Sequence, residues 1–311
     1  MTIFEALVLS RWVYFASVFV LFGSTLFWFT IGGESASADR GRLPRSYAAT
    51  KRLLRVAAPL AAVSGLAWLT GILANMTDGF SNIVDPEILR VFFFETQFGP
   101  VAIFRLCLFA GLVAIVLLPW RDRLSLTALL VTSGLLLVSQ AWLGHAAEGG
   151  ANLRGALMIL AYSVHMFAAA AWVGGLPALL FALVEQRHFD PDAAREWTVD
   201  LLLRFSAMAV IAVALIVISG IANAGFRVSG SFDKLFWTPY GEVLVTKIAA
   251  VTVMLALAYF NRFIALPKLS NASMTGKAQI IRLRVSVAFE LFLAVLVLGI
   301  AAVLGITPPP Q

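Results

Sequence analysis

The chain has 311 residues, of which 60% are hydrophobic and 13% charged, with a mean hydropathy of +0.90 and a formal charge of +6. So little polar surface cannot cover a water-soluble globule, and lipid must replace water over most of the exterior. The Lys and Arg residues lie in short segments between long apolar runs instead of in one stripe, which is the pattern of membrane topology and argues against a nucleic-acid partner.

A helix needs roughly 20 apolar residues to cross the hydrocarbon, because each backbone N–H and C=O must find its partner within the segment. Eight stretches qualify, at about 8–31, 53–74, 99–118, 124–143, 155–184, 204–225, 241–260 and 285–306. The first is too long for the core of a signal peptide and has no small-residue cleavage site after it, which predicts a retained helix. No run alternates with period two as a membrane barrel requires. The expected fold class is all-α, a polytopic membrane protein with eight transmembrane helices. The single cysteine, Cys107, excludes an internal disulfide and a Cys-rich metal cluster.

Orientation follows from the basic residues of the connecting segments. The segments after spans one, three, five and seven carry sixteen Lys and Arg residues, among them Arg40, Arg52, Arg121, Arg187, Arg262 and Arg284. The other side holds Arg11, Arg90, Arg154, Arg227 and Lys234, and its longest loop carries Asp78, Asp85, Glu87 and Glu95. Both termini are therefore expected outside, in the periplasm, where Pro308 to Pro310 stop the last helix.

The two halves carry matching features in the same order. Thr96-Gln97-Phe98-Gly99 precedes span three, with Arg105 six residues after the glycine; Thr238-Pro239-Tyr240-Gly241 precedes span seven, with Lys247 at the same spacing. Ser64-Gly65 in span two answers Ser219-Gly220 in span six, and Tyr14 stands nine residues before Gly23 as His165 stands nine before Gly174. These matches predict one membrane domain over 1–311 built from two four-helix halves, 1–145 and 146–311. An even number of helices per half gives a parallel repeat, with a central site between the halves.

Ionisable groups inside lipid are expensive, so Arg105, Lys247, His165 and Glu290 each call for a reason. Arg105 and Lys247 lie about six residues in from the outer ends of their spans; they either snorkel outward or form a positive outer vestibule. His165 lies about ten residues into span five, roughly 15 Å down the helix. Met158, Tyr162, His165, Ala169 and Trp172 share one helical face, with Met166 about a quarter turn away. Thioether, imidazole and phenol so placed suit Cu(I), although a membrane histidine also serves by bonding to a neighbouring helix. His145 at the outer end of span four, near Glu148, is either an entry ligand or a solvated loop residue, and Met76 stands near the same mouth. His188 falls in a charged inner loop and is expected to be solvated. Glu290, about six residues into span eight from the inner side, is expected to form an ion pair with Arg204, Arg262 or Arg284, or to serve as an exit relay. No phosphate loop, hydrolytic carboxylate pair, Cys-x-x-Cys or nucleophile elbow occurs, so no enzymatic activity is expected.

The run from His165 to Leu176, His-Met-Phe-Ala-Ala-Ala-Ala-Trp-Val-Gly-Gly-Leu, resembles the signature of the CopD family. With it go Thr96 to Gly99, Gly144-His145-Ala146, Arg204-Phe205-Ser206, Ser219-Gly220 with Asn223-Ala224, Tyr240-Gly241 with Lys247, Asn261-Arg262 and Glu290. The resemblance implies an inner-membrane protein of eight helices associated with copper homeostasis, acting beside a periplasmic CopC-like copper carrier or fused to one, and it points toward copper import. Tyr14 and Tyr162 depart from it, standing where relatives commonly carry histidine, so a site of many histidines is not expected. The expected function is to move or accept copper, as Cu(I), from the periplasmic side. His145, His165, Met158, Met166 and Met76 are the candidate ligands; Tyr14, Tyr162, Trp172, Arg105, Lys247, Asn223 and Glu290 line the pathway. The alternatives are a membrane redox protein holding haem or quinone, or a non-transporting partner of a periplasmic copper carrier.

Overall fold

A computed structural model describes residues 2–32, 45–77, 79–143, 150, 152–185, 191–227, 237–270 and 276–308. Eight of its helices are long and apolar enough to cross a membrane. In chain order they are α1 (Ile3–Phe27, extended by a π turn over Trp28–Gly32), α2 (Arg45–Met76), α4 (Gly99–Leu117), α5 (Asp122–Ser139), α6 (Leu153–Glu185), α7 (Pro191–Arg227), α8 (Pro239–Phe260) and α10 (Gly276–Leu304). Two shorter helices join them, α3 (Pro86–Glu95) before α4 and α9 (Leu266–Ser270) after a π turn over Asn261–Ala265.

Every span expected from the apolar runs is present, and three begin well before their run does. α2 starts at Arg45, α7 at Pro191 and α10 at Gly276. Basic residues such as Arg52, Arg204 and Arg284 thus lie on helical extensions, because Lys and Arg are good helix formers once the chain leaves the hydrocarbon. The acidic loop between α2 and α4 holds α3, which hydropathy does not reveal. Its start is local chemistry: Pro86 opens the helix and Asp85 Oδ1 accepts from the Glu87 N–H at 2.8 Å.

The start of α1 and the end of α10 lie at the same end of the bundle, the termini end, where Arg11 donates Nη1 to Gly305 O at 3.0 Å. At the far end, α6 and α2 are tied by Glu185, whose carboxylate accepts from the Arg45 N–H at 2.6 Å, the Ser46 N–H at 2.9 Å and the Ser46 hydroxyl. A carboxylate from one helix therefore caps the open donors of another.

The centre of the bundle is the pair α1 and α6. α1 packs on α2, α5, α6 and α10, while α6 packs on α1, α2, α5, α7 and α10. Where they cross, Ser24 Oγ donates to Gly174 O at 2.8 Å. The two threonine devices matched in the sequence differ in structure. Thr238 Oγ1 caps α8 by accepting from the Gly241 N–H at 3.2 Å, whereas Thr96 Oγ1 donates back to Phe92 O at 2.6 Å. Gly99 answers a different need, since a Cβ there would lie 2.0 Å from Phe93 O at the end of α3.

Candidate functional site

Met158, His165, Trp172 and Leu179 recur every seven residues on α6, and all four face α7. At the termini end, Met158 lines a small cavity of about 190 Å³ with Asn223, Phe226 and Arg227 of α7. Toward the far end, Trp172 and Leu179 line a cavity of about 450 Å³ with Leu202, Phe205 and Ser206 of α7. The α6–α7 seam thus has open space near both ends, and His165 lies between the two.

His165 Nδ1 is 3.2 Å from Ile216 O and 3.1 Å from Ser219 Oγ. A carbonyl oxygen can only accept, so this partner assigns the proton to Nδ1 and leaves Nε2 with its lone pair. A backbone carbonyl holding Nδ1–H is the support that metal-binding histidines commonly have, because it fixes the ring and raises the basicity of Nε2. The histidine is bonded to its neighbouring helix and still has one nitrogen to offer. It lies twelve residues inside α6, roughly 18 Å from the start of that helix. Asn223, one turn nearer the termini end, donates Nδ2 to Ala161 O at 3.4 Å and bridges the same seam.

The larger cavity is completed by Ala258, Asn261 and Arg262 at the end of α8 and by Leu283, Val287 and Glu290 of α10. Glu290 is buried. Its Oε1 accepts from Asn261 Nδ2 at 2.7 Å, while Arg262 Nη1 is given to Ser206 Oγ at 2.6 Å. The expected ion pair is replaced by an amide, and among the described residues Glu290 makes no ion pair. Glu290 lies fourteen residues into α10, whose first turns precede the apolar run.

Arg105 does not snorkel. It is fully buried, its guanidinium carbon 4.9 Å from the Tyr14 ring centre, 5.3 Å from that of Trp68 and 5.6 Å from that of Phe109. Nη1 donates to Ser139 Oγ at 2.8 Å, while Nε and Nη2 have no partner. Tyr14 therefore belongs to an aromatic cage on α1, α2 and α4. Arg11 shares that cage at 5.4 Å from the Trp68 ring, with the Tyr162 phenol beside it. Lys247 and Arg227 are close enough to His165 to act on it by charge. Lys247 and Arg227 thus lend positive charge to the termini end of the seam.

Met166 is buried in the apolar core and lines neither cavity. Met76, the last residue of α2, is exposed and also lines neither. His145, with Glu148 nearby, and His188 lie outside the described residues. Among the described residues no three His, Cys, Asp or Glu side chains come together as a metal cluster. Periodicity alone did not expose Ser219, which orients the histidine, or Trp68, which holds two guanidinium groups.

The family described as Copper resistance protein D-like, N-terminal domain, matches residues 1–156, and that described as Copper resistance protein D matches 199–304. The chain is 34% identical over 217 residues to Copper transport protein CutJ of Bacillus subtilis (strain 168), covering 67% of this chain and 39% of that one. It is 30% identical over 220 residues to Copper resistance protein D of Pseudomonas syringae pv. tomato, covering 69% of this chain and 70% of that one. It is 27% identical over 264 residues to Inner membrane protein YebZ of Escherichia coli (strain K12), covering 83% and 84%. The chain therefore spans about two fifths of the Bacillus relative and most of the other two. No solved structure matches it. On these similarities, the chain belongs to the copper resistance protein D family.

Proposed function

We propose that this protein handles copper at a bacterial inner membrane, accepting Cu(I) on the side of its termini and passing it along the α6–α7 seam. It acts as a carrier, not as a catalyst, with both termini periplasmic and the basic helix extensions in the cytoplasm. The observation that carries this reading is His165, whose Nδ1 is committed to Ile216 O, which leaves the Nε2 lone pair for a ligand on a seam with a cavity toward each end. A thioether at Met158 and an imidazole at His165 are ligand types that Cu(I) prefers. The names of the relatives, a copper transport protein and a copper resistance protein, support the same cargo.

Arg227 and Lys247 would repel a bare cation from this entry, which favours copper delivered by a ligand-bearing periplasmic carrier of the CopC type. The two four-helix halves are part of the proposal, supported by the crossing of α1 and α6, the first helix of each half, at glycines that the sequence repeat aligns. Purified protein in detergent is expected to bind Cu(I), and proteoliposomes to take it up, with both losses in His165→Ala. Unchanged binding in that variant overturns the reading. A visible haem band in the purified protein would replace it with a redox role.

A further inference from the structure

Glu290 is 3% exposed and lines the larger cavity together with Trp172, Ser206, Asn261 and Arg262. The polar atoms around it are unevenly matched. Asn261 gives Nδ2 to the carboxylate at 2.7 Å, yet its Oδ1 is buried with no hydrogen-bond partner. Arg262, the cation of the cavity wall, is spent on Ser206 Oγ at 2.6 Å.

The other charged groups on the elements around the cavity are engaged elsewhere or lie toward the far end. On α6, Glu185 caps α2. On α7, Arg204 pairs with Asp200 at 3.1 Å. On α10, Arg284 donates Nε to Leu183 O at 2.6 Å, and Arg282 lies two residues nearer the start of that helix. Lys268 is in the last turn of α9. None of them pairs with Glu290 among the described residues.

A buried carboxylate without a cationic partner is costly, so its charge is cancelled by a proton when no cation is bound beside it. Asn261 is suited to both conditions. Its amide donates N–H to an ionised carboxylate, and after a half-turn its free Oδ1 accepts O–H from a protonated one. It also opens the π turn over Asn261–Ala265, a local irregularity of the sort often found at functional positions.

We propose that Glu290 and Asn261 form a cation-exchange site in which Glu290 carries a proton and releases it when Cu(I) reaches the larger cavity. The coupling to copper rests on the function proposed above, whereas the proton site stands on its own geometry. One proton leaves the carboxyl for water at the far end as one Cu(I) enters, so the cavity keeps the same net charge. Carboxylate and amide oxygens are hard ligands that hold Cu(I) weakly, which suits departure better than storage.

Two measurements on the full-length protein in lipid test this. Infrared difference spectra between acidic and alkaline buffer, without copper, are expected to show a carboxyl C=O band that exchanges slowly in D2O and vanishes in Glu290→Gln. Asn261→Leu, which keeps the carboxyl, is expected to move the midpoint of that band. In proteoliposomes with an internal pH dye, wild-type protein is expected to move protons when a Cu(I) gradient is applied. Glu290→Gln should abolish that proton signal. An infrared titration identical in both variants overturns the proton site, and so does copper-driven proton movement that survives Glu290→Gln. If no Cu(I) binds to wild type, the copper function fails while a Glu290-dependent band still establishes the site.

Discussion

Gly23 on α1 and Gly174 on α6 meet backbone to backbone: a Cβ on Gly23 would lie 2.6 Å from the Gly174 Cα, and one on Gly174 would lie 1.8 Å from Phe19 O. Close approach of this kind is how membrane helices gain packing when no hydrophobic force separates helix from lipid. Both central helices run through this point, so the seam that holds His165 takes its placement from it. Gly23→Leu or Gly174→Leu is expected to force the helices apart and lower stability by at least roughly 3 kcal/mol. Thermal unfolding in detergent, followed by loss of the monodisperse chromatographic peak, checks it; an unchanged midpoint means that α1 and α6 do not cross here.

Ser219 acts on the cargo only through the histidine. Because Ile216 O still holds Nδ1–H, Ser219→Ala is expected to weaken Cu(I) binding by up to roughly tenfold, and His165→Ala by more. Competition against a coloured Cu(I) chelator ranks the two. Should Ser219→Ala prove the more damaging, the hydroxyl and not the imidazole would be the contact that matters.

Arg105 is the reverse of a stabilising ion pair. It is fully buried, faces three aromatic rings and leaves two nitrogens unpartnered. Arg105→Met, of similar length and no charge, is expected to leave stability unchanged or to raise it by up to roughly 3 kcal/mol. A marked drop in unfolding temperature would show that the guanidinium is structurally required.

Glu185 satisfies two backbone donors and a hydroxyl at the start of α2. Glu185→Ala is expected to cost about 1–3 kcal/mol, and Glu185→Gln less, because the amide still accepts one hydrogen bond. Urea or thermal unfolding distinguishes the two variants; equal behaviour would mean the cap is not maintained in the bilayer.

The spans were legible because lipid imposes a length of apolar chain, and the depth of His165 followed from counting along one helix. The seven-residue recurrence of Met158, His165 and Trp172 was also visible as a shared face. What faced them was not. Ser219 and Asn261 come from other helices, and no periodicity within α6 can name a partner on α7 or beyond. Hydropathy marks where the apolar run begins, not where the helix does, so the nine residues by which α10 precedes 285 were not legible. Arg105 was assigned to the rim by depth alone, since a sequence does not reveal that Tyr14, Trp68 and Phe109 converge on it.

The carboxylate that closes the start of α2 lies about 140 positions later in the chain. During synthesis the leading amides of the second helix must therefore be met by water, and the cap stays incomplete until the fifth span has been made and threaded in. The order of translation sets a waiting period, and a ribosome stalled before Glu185 would leave a nascent chain whose second helix is made but not yet tied to the fifth span at that end of the bundle.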